Sequence, residues 1–313
     1  MGAYVIRRVL ATLPVLGVVA VIVFSMLRLS PGDPAAIIAG DNATADDIAL
    51  IREQLGLDRP VLEQFALWIG QLAQGDLGNS IYLSRPVLGL ILERVEPTLA
   101  LSITTMAFAV LLAIPMGVLA AWRAGSWIDQ TIMALSVLAF SVPVFLIGYG
   151  LVIGLSLSLD LLPVQGFVSL WENPVAFALH LVLPTVTLGL VYTALLARIT
   201  RATMLETLNE DFIRTARAKG LAEPRVLILH ALKNASVPIV TTIGTGIALL
   251  IGGVVVTESV FAIPGIGRLT IDAVLQRDYP VIQGVILVIA GVYVFVNLAI
   301  DLTYSALDPR IRY

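Results

Sequence analysis

Long stretches without a charged residue alternate along this chain with shorter polar intervals. Charge-free apolar runs occupy about 9–27, 98–121, 131–157, 176–197, 235–257 and 281–300. Each has about the 20 residues that a helix needs to cross a bilayer. The pattern predicts an all-α polytopic membrane protein of about six transmembrane helices. The run at 9–27 follows Arg7 and Arg8 as a secretory signal would. It is longer than a signal-peptide core and no small-x-small cleavage site follows it, so it reads as a retained first span. The composition agrees: 58% of the 313 residues are hydrophobic and 13% charged, where soluble domains carry about a quarter charged.

Six spans place both termini on one side. Assigning that side to the cytoplasm puts Arg7, Arg8, Arg123, Arg198, Arg201, Arg214, Arg217, Lys219, Arg225, Lys233, Arg310 and Arg312 inside. The opposite orientation breaks the positive-inside rule. Four segments follow: a first transmembrane helix at 1–29, an extracytoplasmic helical segment at 30–97, a five-helix core at 98–305 and a cytoplasmic tail at 306–313.

The outer segment is too polar to span. Thr44 and Asp47 resemble a capping box, with Ile48, Ile51 and Leu55 on one face before Gly56. Asp58 is expected to cap a second helix, with Pro60 in its first turn, a stripe of Leu62, Phe65, Ile69 and Leu72, and an end near Gly75. A third, interfacial helix at 86–95 has Ser84 as its candidate cap. On the inner side, 198–235 reads as two helices joined by a turn at Gly220 and Pro224.

Candidate chemistry is sparse. A Walker A loop needs Lys between Gly and Ser or Thr, but Lys219 follows Ala and precedes Gly, and Lys233 lies between Leu and Asn. The expectation is no catalytic residue and no nucleotide held by this chain. His180 and His230 lie far apart and outside any metal-binding motif, so no metal site is expected. Cysteine is absent, which excludes disulfides, and a formal charge of −3 offers no basic surface for nucleic acid. Gly265-Ile266-Gly267 lacks the rest of a dinucleotide fingerprint and reads as a tight turn.

Span interiors show no ionisable group apart from His180, which reads as an interfacial packing residue or a transport residue. Pro115, Pro143 and Pro184, with Gly244, Gly246, Gly252 and Gly253, allow kinks. Gly150 and Gly154 form a G-x-x-x-G suited to close helix approach. Thr241 and Thr245, a turn apart, suit either a water-filled translocation path or hydrogen bonding between helices. Phe212, Thr215, Ala216 and Lys219 fall on adjacent turns, where small and basic residues suit docking to a soluble partner. A solvated basic loop is the other reading.

The stretch RTARAKGLAEPRVLILHALKN at 214–234 resembles the cytoplasmic loop of ABC importer permeases, Glu-Ala-Ala-x3-Gly-x9-Ile-x-Leu-Pro. Aligned on Gly220, Ala216 and Leu232 match, whereas Arg214, Thr215, His230 and Lys233 depart from it. These departures are similar to the variant in the dipeptide, oligopeptide and nickel permease subfamily. SPGDP at 30–34, GDLGNSI at 75–81, PGIGRL at 264–269, RDYPVIQG at 277–284 and LDPRIRY at 307–313 extend the resemblance over nearly the whole chain, which looks most like a first dipeptide permease subunit.

The resemblance implies a type I importer fold in a bacterial cytoplasmic membrane, in contact with lipid. It implies a homologous second permease, two ATPase subunits that bind ATP and Mg, and an extracytoplasmic solute-binding protein. Residues Phe212, Arg214, Thr215, Ala216, Arg217, Lys219, Gly220 and Leu221 would form the ATPase-docking coupling helix. Cargo would be dipeptides or short peptides moved by alternating access. The same machine carrying nickel, haem, glutathione or longer oligopeptides is the near alternative; a stand-alone secondary carrier and a membrane scaffold are the distant ones.

The topology is testable by labelling. Cysteines introduced at Asn42 and Asn209 are expected to react from opposite sides of intact cells, and labelling of both from outside refutes the assignment.

Overall fold

A computed structural model describes residues 2–29, 35–36, 44–54 and 56–307. The SPGDP string, Asn42, Leu55 and the tail at 308–313 lie outside the described residues. Helices are the regular elements among those described, joined by turns and loops such as 159–173, with an isolated bridge between Asn79 and Pro86. Four helical stretches are long and apolar enough to cross a membrane: Val87–Trp122, Pro174–Leu208, Glu223–Leu250 and Tyr279–Ile300. A bent pair, Trp127–Ser141 and Val144–Ser158, makes up to five, and Leu10–Met26 is a shorter apolar stretch.

The chain divides into two compact units, Met1–Val95 with Leu269–Val294 and Glu96–Arg268 with Phe295–Tyr313. The first contains α1 (Gly2–Leu29), α2 (Ala45–Gln54), α3 (Val61–Ala73) and the beginnings of α4 (Val87–Trp122) and α12 (Tyr279–Leu307). Phe24 of α1 meets Phe65 edge-on at 5.0 Å and Trp68 at 5.5 Å, so two aromatic positions of α3 dock on the first apolar helix. The Gln283 side chain donates to the Val23 carbonyl at 3.0 Å. Asp278, 2% exposed, organises the loop before α4. Its carboxylate accepts from Ser80 Oγ at 2.5 Å and from the amides of Ile81 and Tyr82 at 3.2 and 3.3 Å. One carboxylate thus joins the GDLGNSI and RDYPVIQG strings.

Two expectations for this unit need correction. Asp58 does not cap α3: the cap position is Pro60, with no side-chain bond. Proline has no N–H and a fixed φ, so it sits where the first turn needs no donor, and the helix starts too late for Asp58 to reach it. Nor does 86–95 form a separate helix. It continues through Pro97 and Pro115 into one helix of 36 residues, and Ser84 has φ +53 rather than a cap geometry.

The second unit holds the rest of α4, then α5 (Trp127–Ser141), α6 (Val144–Leu151) with a π-helical extension (Val152–Ser158), α7 (Pro174–Leu208) and α8 (Asp211–Ala218). A continuous stretch follows, formed by α9 (Glu223–Arg225), a π-helical segment (Val226–Leu232) and α10 (Lys233–Val260). It closes with the start of α11 (Ile266–Gln276) and the end of α12. Two apolar clusters lie along α4, α7 and α10. One gathers Ala113, Leu196, Met204, Ala231 and Ile239, the other Leu101, Leu183, Leu250, Phe261 and Ile263.

The run at 131–157 is not one straight span. It bends by 100° between α5 and α6, because Pro143 pushes Val142 to φ −85°, ψ 128°. A residue before proline is driven from helical to extended backbone by its clash with the ring.

Glu258, in the last turn of α10, is fully buried. It lies just past the charge-free run at 235–257, because α10 outruns its apolar window. The carboxylate accepts from Thr98 Oγ1 at 2.6 Å and from the Arg268 amide at 2.9 Å, while the Ile266 amide donates to Thr98 Oγ1 at 2.8 Å. This knot explains PGIGRL: Gly265 and Gly267 press on the Glu258 side chain, and a Cβ on Gly267 would stand 2.7 Å from Val255 Cα. By contrast, Gly150 and Gly154 have nothing within 4 Å of an added Cβ, so their expected close packing is not made among the described residues.

Gly267→Ala is expected to destabilise the purified protein by about 1–3 kcal/mol, through overpacking against backbone. Gly70→Ala, on helix α3 with nothing near its Cβ, is expected to stabilise by about 0.4–1 kcal/mol. Thermal melting in detergent distinguishes the two.

Candidate functional site

The site is built at the end of α7. A helix of 35 residues is about 52 Å long at 1.5 Å per residue, well beyond the roughly 30 Å hydrocarbon thickness. Its final turns therefore carry the chain out of the apolar layer, and Asn209 and Glu210 turn it into α8. Asn209 Nδ2 donates to the Leu205 carbonyl at 2.9 Å, closing the end of α7.

Helix α8 has eight residues, too few to persist alone. Ile213 (0% exposed) and Ala216 (6%) hold it against the cluster containing Met204, Leu205, Leu208, Val226, Leu227 and Ala231. These two residues are a turn apart and form its inner face. Phe212, Arg214, Thr215, Arg217 and Lys219 occupy the exposed remainder. Arg214 pairs with Asp211, and Thr215 Oγ1 donates to the Asp211 carbonyl at 3.0 Å.

The helix ends in a Schellman motif. Leu221 N–H donates to the Ala216 carbonyl at 3.3 Å and Gly220 N–H to that of Arg217 at 2.9 Å. Gly220 has φ +74 and its missing Cβ would meet nothing within 4 Å, so the requirement for glycine is one of backbone conformation. Leu221 folds onto the same cluster as Ala216. Across the turn, Arg217 is bidentate to Glu223, with Nε at 3.2 Å and Nη2 at 2.7 Å. That hydrogen bonding raises the guanidinium pKa further above its ordinary value. Pro224 lies in the first turn of α9, where a missing N–H is harmless.

The predicted docking residues are thus brought together, on two opposite faces. Ala216 is covered by the chain's own core, and the available face is Phe212, Thr215 and Lys219 with Arg214 and Arg217 at its sides. Ile213 is the residue that the sequence reading missed; its three-residue spacing from Ala216 was the available signal.

The other candidates lie apart from α8. Thr241 Oγ1 donates to the Val237 carbonyl at 2.7 Å and Thr245 Oγ1 to that of Thr241 at 2.5 Å. Both hydroxyls bond within their own helix; Thr241 is half-buried and Thr245 exposed. Close by, Met106, Tyr192, Thr242 and Gly246 line a crevice of about 10 Å³. His180 Nδ1 lies 2.8 Å from the Ala176 carbonyl, one turn back on its own helix.

A second polar feature ties α7 to α5. Asp129, 3% exposed, takes a bidentate bond from Arg201, Nε to Oδ1 at 2.5 Å and Nη2 to Oδ2 at 2.7 Å, and accepts from the Gly125 amide at 3.0 Å.

Comparison with known proteins agrees with this architecture. Residues 113–313 match the family described as binding-protein-dependent transport system inner membrane component. Residues 1–113 match the corresponding N-terminal family. A probable peptide ABC transporter permease of Sinorhizobium fredii is 50% identical over 313 residues, covering all of both chains. A putative peptide transport system permease of Brucella abortus is 42% identical over 313 residues, again covering all of both. The glutathione transport system permease GsiC of Escherichia coli is 44% identical over 311 residues, 99% of each chain. Among solved structures, an inward-facing MetNI methionine ABC transporter chain aligns with a TM-score of 0.59 at 18% identity, covering 71% of this chain and 97% of that one. At that identity the likeness concerns the fold. Together, the match along the whole chain and the helical architecture place this protein in the family of inner membrane components of binding-protein-dependent transport systems.

Proposed function

We propose that this chain is the permease half of an ABC importer that moves dipeptides or other short peptides into the cell by alternating access. Helix α8 is its docking element for a separate ATPase. The observation that carries this reading is α8 itself: a helix too short to stand alone, clamped to the bundle by Ile213 and Ala216, with Phe212, Thr215 and Lys219 facing outward beyond the apolar length of α7. A solvated loop has no need of a buried face or of a Schellman turn that fixes its exit.

In this reading a homologous second permease completes the bundle, two ATPase subunits hold ATP and Mg, and an extracytoplasmic solute-binding protein delivers cargo. Closure of the ATPases displaces α8, and the bundle switches between inward and outward access because the partners bind its two states with different affinity. Both termini lie in the cytoplasm. Thr241 and Thr245 are the candidates for the path on α10. Relatives named for peptide transport support the cargo class. The relative named for glutathione supports a second reading, in which the cargo is glutathione. ATP hydrolysis by the reconstituted complex, stimulated by its binding protein with each candidate cargo in turn, separates dipeptides from glutathione, nickel, haem and longer oligopeptides. Ion-gradient-driven uptake by this chain alone in liposomes supports a secondary carrier and refutes the proposal.

Gly220 tests the docking element. Valine at φ +74 is strained by roughly 1–2 kcal/mol or more, so Gly220→Val is expected to insert normally yet lose most ATPase pull-down and binding-protein-stimulated hydrolysis. Gly220→Asn, whose side chain tolerates that conformation, is expected to retain both. Wild-type behaviour of the valine variant at matched membrane levels removes α8 from the docking role.

A further inference from the structure

Helix α5 stands outside both apolar clusters of its unit. The cluster at α8 draws on α4, α7, α8 and the π-helical and α10 stretches, and the other on α4, α6, α7 and α10; among the described residues α5 contributes to neither. The residues it buries are Asp129, Ile132 and Ser136, a single stripe whose first member bonds to Arg201 of α7. At its other end α5 turns through 100° into α6, and α6 is anchored by Val144 and Leu151 in the second cluster. Helix α5 packs along α7, with the ionic tie fixing its start and the elbow at Pro143 its end.

The tie is built for stiffness. Both carboxylate oxygens of Asp129 meet the guanidinium, at 2.5 and 2.7 Å, and Oδ2 also holds the Gly125 amide at 3.0 Å. Ser126 caps α5 by accepting from the Asp129 amide. The turn, the helix start and the carboxylate form one unit that grips α7 just before it leads into α8. A fork-to-fork pair fixes orientation as well as distance.

We infer that Asp129 and Arg201 are positioning residues for energy coupling: the pair transmits displacement of the α8 end of the bundle to α5 and, through the elbow at Pro143, to α6. This rests on α8 being the ATPase-docking element. Without the strut, α5 keeps its packing on α7 but its start loses its fixed orientation there, so displacement of the α8 end reaches α6 incompletely and hydrolysis proceeds with less cargo moved.

The test measures cargo uptake per ATP hydrolysed in proteoliposomes containing the whole complex and binding protein. Asp129→Asn is expected to lower that ratio about tenfold, and Arg201→Lys, which keeps the charge but loses the fork, about threefold. ATPase pull-down at matched membrane levels is expected to stay near wild type, while the melting temperature falls by a few degrees, as loss of a buried pair requires. Wild-type uptake per ATP in both variants overturns the proposal. So does loss of assembly in either variant, since that marks a merely structural pair. Gly220→Val run in parallel separates the two readings: intact assembly there sinks the docking element, whereas an unchanged ratio in the Asp129 and Arg201 variants sinks only the strut.

Discussion

The mechanical reading of the second unit depends on the burial of two side chains, Ile213 and Ala216. Eight residues are well short of the length at which a helix holds itself in water, and full burial of an isoleucine is worth about 1.5–3 kcal/mol. Helix α8 therefore exists because the bundle offers it an apolar seat, and it cannot move without that seat. Met204 of α7, Val226 and Ala231 of the π-helical segment and Ala113 of α4 are fully buried in the same cluster. A displacement of α8 is thereby shared among three long helices. Gly220 then sets the angle at which α8 leaves the seat.

Apolar packing alone specifies little in a membrane bundle, since lipid tails compete with every leucine. The helices are placed instead by a few carboxylates in polar corners. Glu258 gathers Thr98 and the start of α11; Asp278 gathers the loop at 80–82; Asp129 gathers Gly125 and Arg201. In each corner an acidic side chain accepts from backbone amides at a turn or helix start, and a hydroxyl or guanidinium completes it. Such a bond has a fixed direction, which dispersion contacts lack. The glycines beside Glu258 belong to the same device: a methyl group on Gly265 would occupy the space of the carboxylate.

Much of this was legible in the sequence because a bilayer imposes one long-wavelength signal. Runs of 20 apolar residues locate helices whatever their packing, and Gly220 with Pro224 marks a turn by backbone chemistry alone. Features that depend on a partner distant in sequence were not legible. Arg201 and Asp129 lie 72 positions apart and Thr98 and Glu258 160, so nothing in their sequence neighbourhoods marks them as partners. Pro143 marked a place for a kink, but hydropathy is blind to direction, so the 100° turn there was not legible. Asp58 looked like a cap because it has the right side chain; Pro60 took the position through its backbone. The direction in which Ala216 faces followed from its neighbours in space.

Cargo is where fold and lever are silent, yet dimensions bear on where it passes. The crevice lined by Met106, Tyr192, Thr242 and Gly246 offers about 10 Å³, as does that lined by Ser136, Phe140, Ala194 and Arg198. That is room for about one water, whereas ligand pockets run from about 300 Å³ upward. Neither crevice holds a dipeptide. Thr245, exposed on α10, and the open faces of Gly150 and Gly154 on α6 and its extension are the opposite case, surfaces that this chain leaves uncovered. On the proposed reading as one half of a transporter, the two observations have one cause: a passage enclosed by surfaces of two chains needs no cargo-sized space inside either one, and the residues that select cargo would then lie on outward faces.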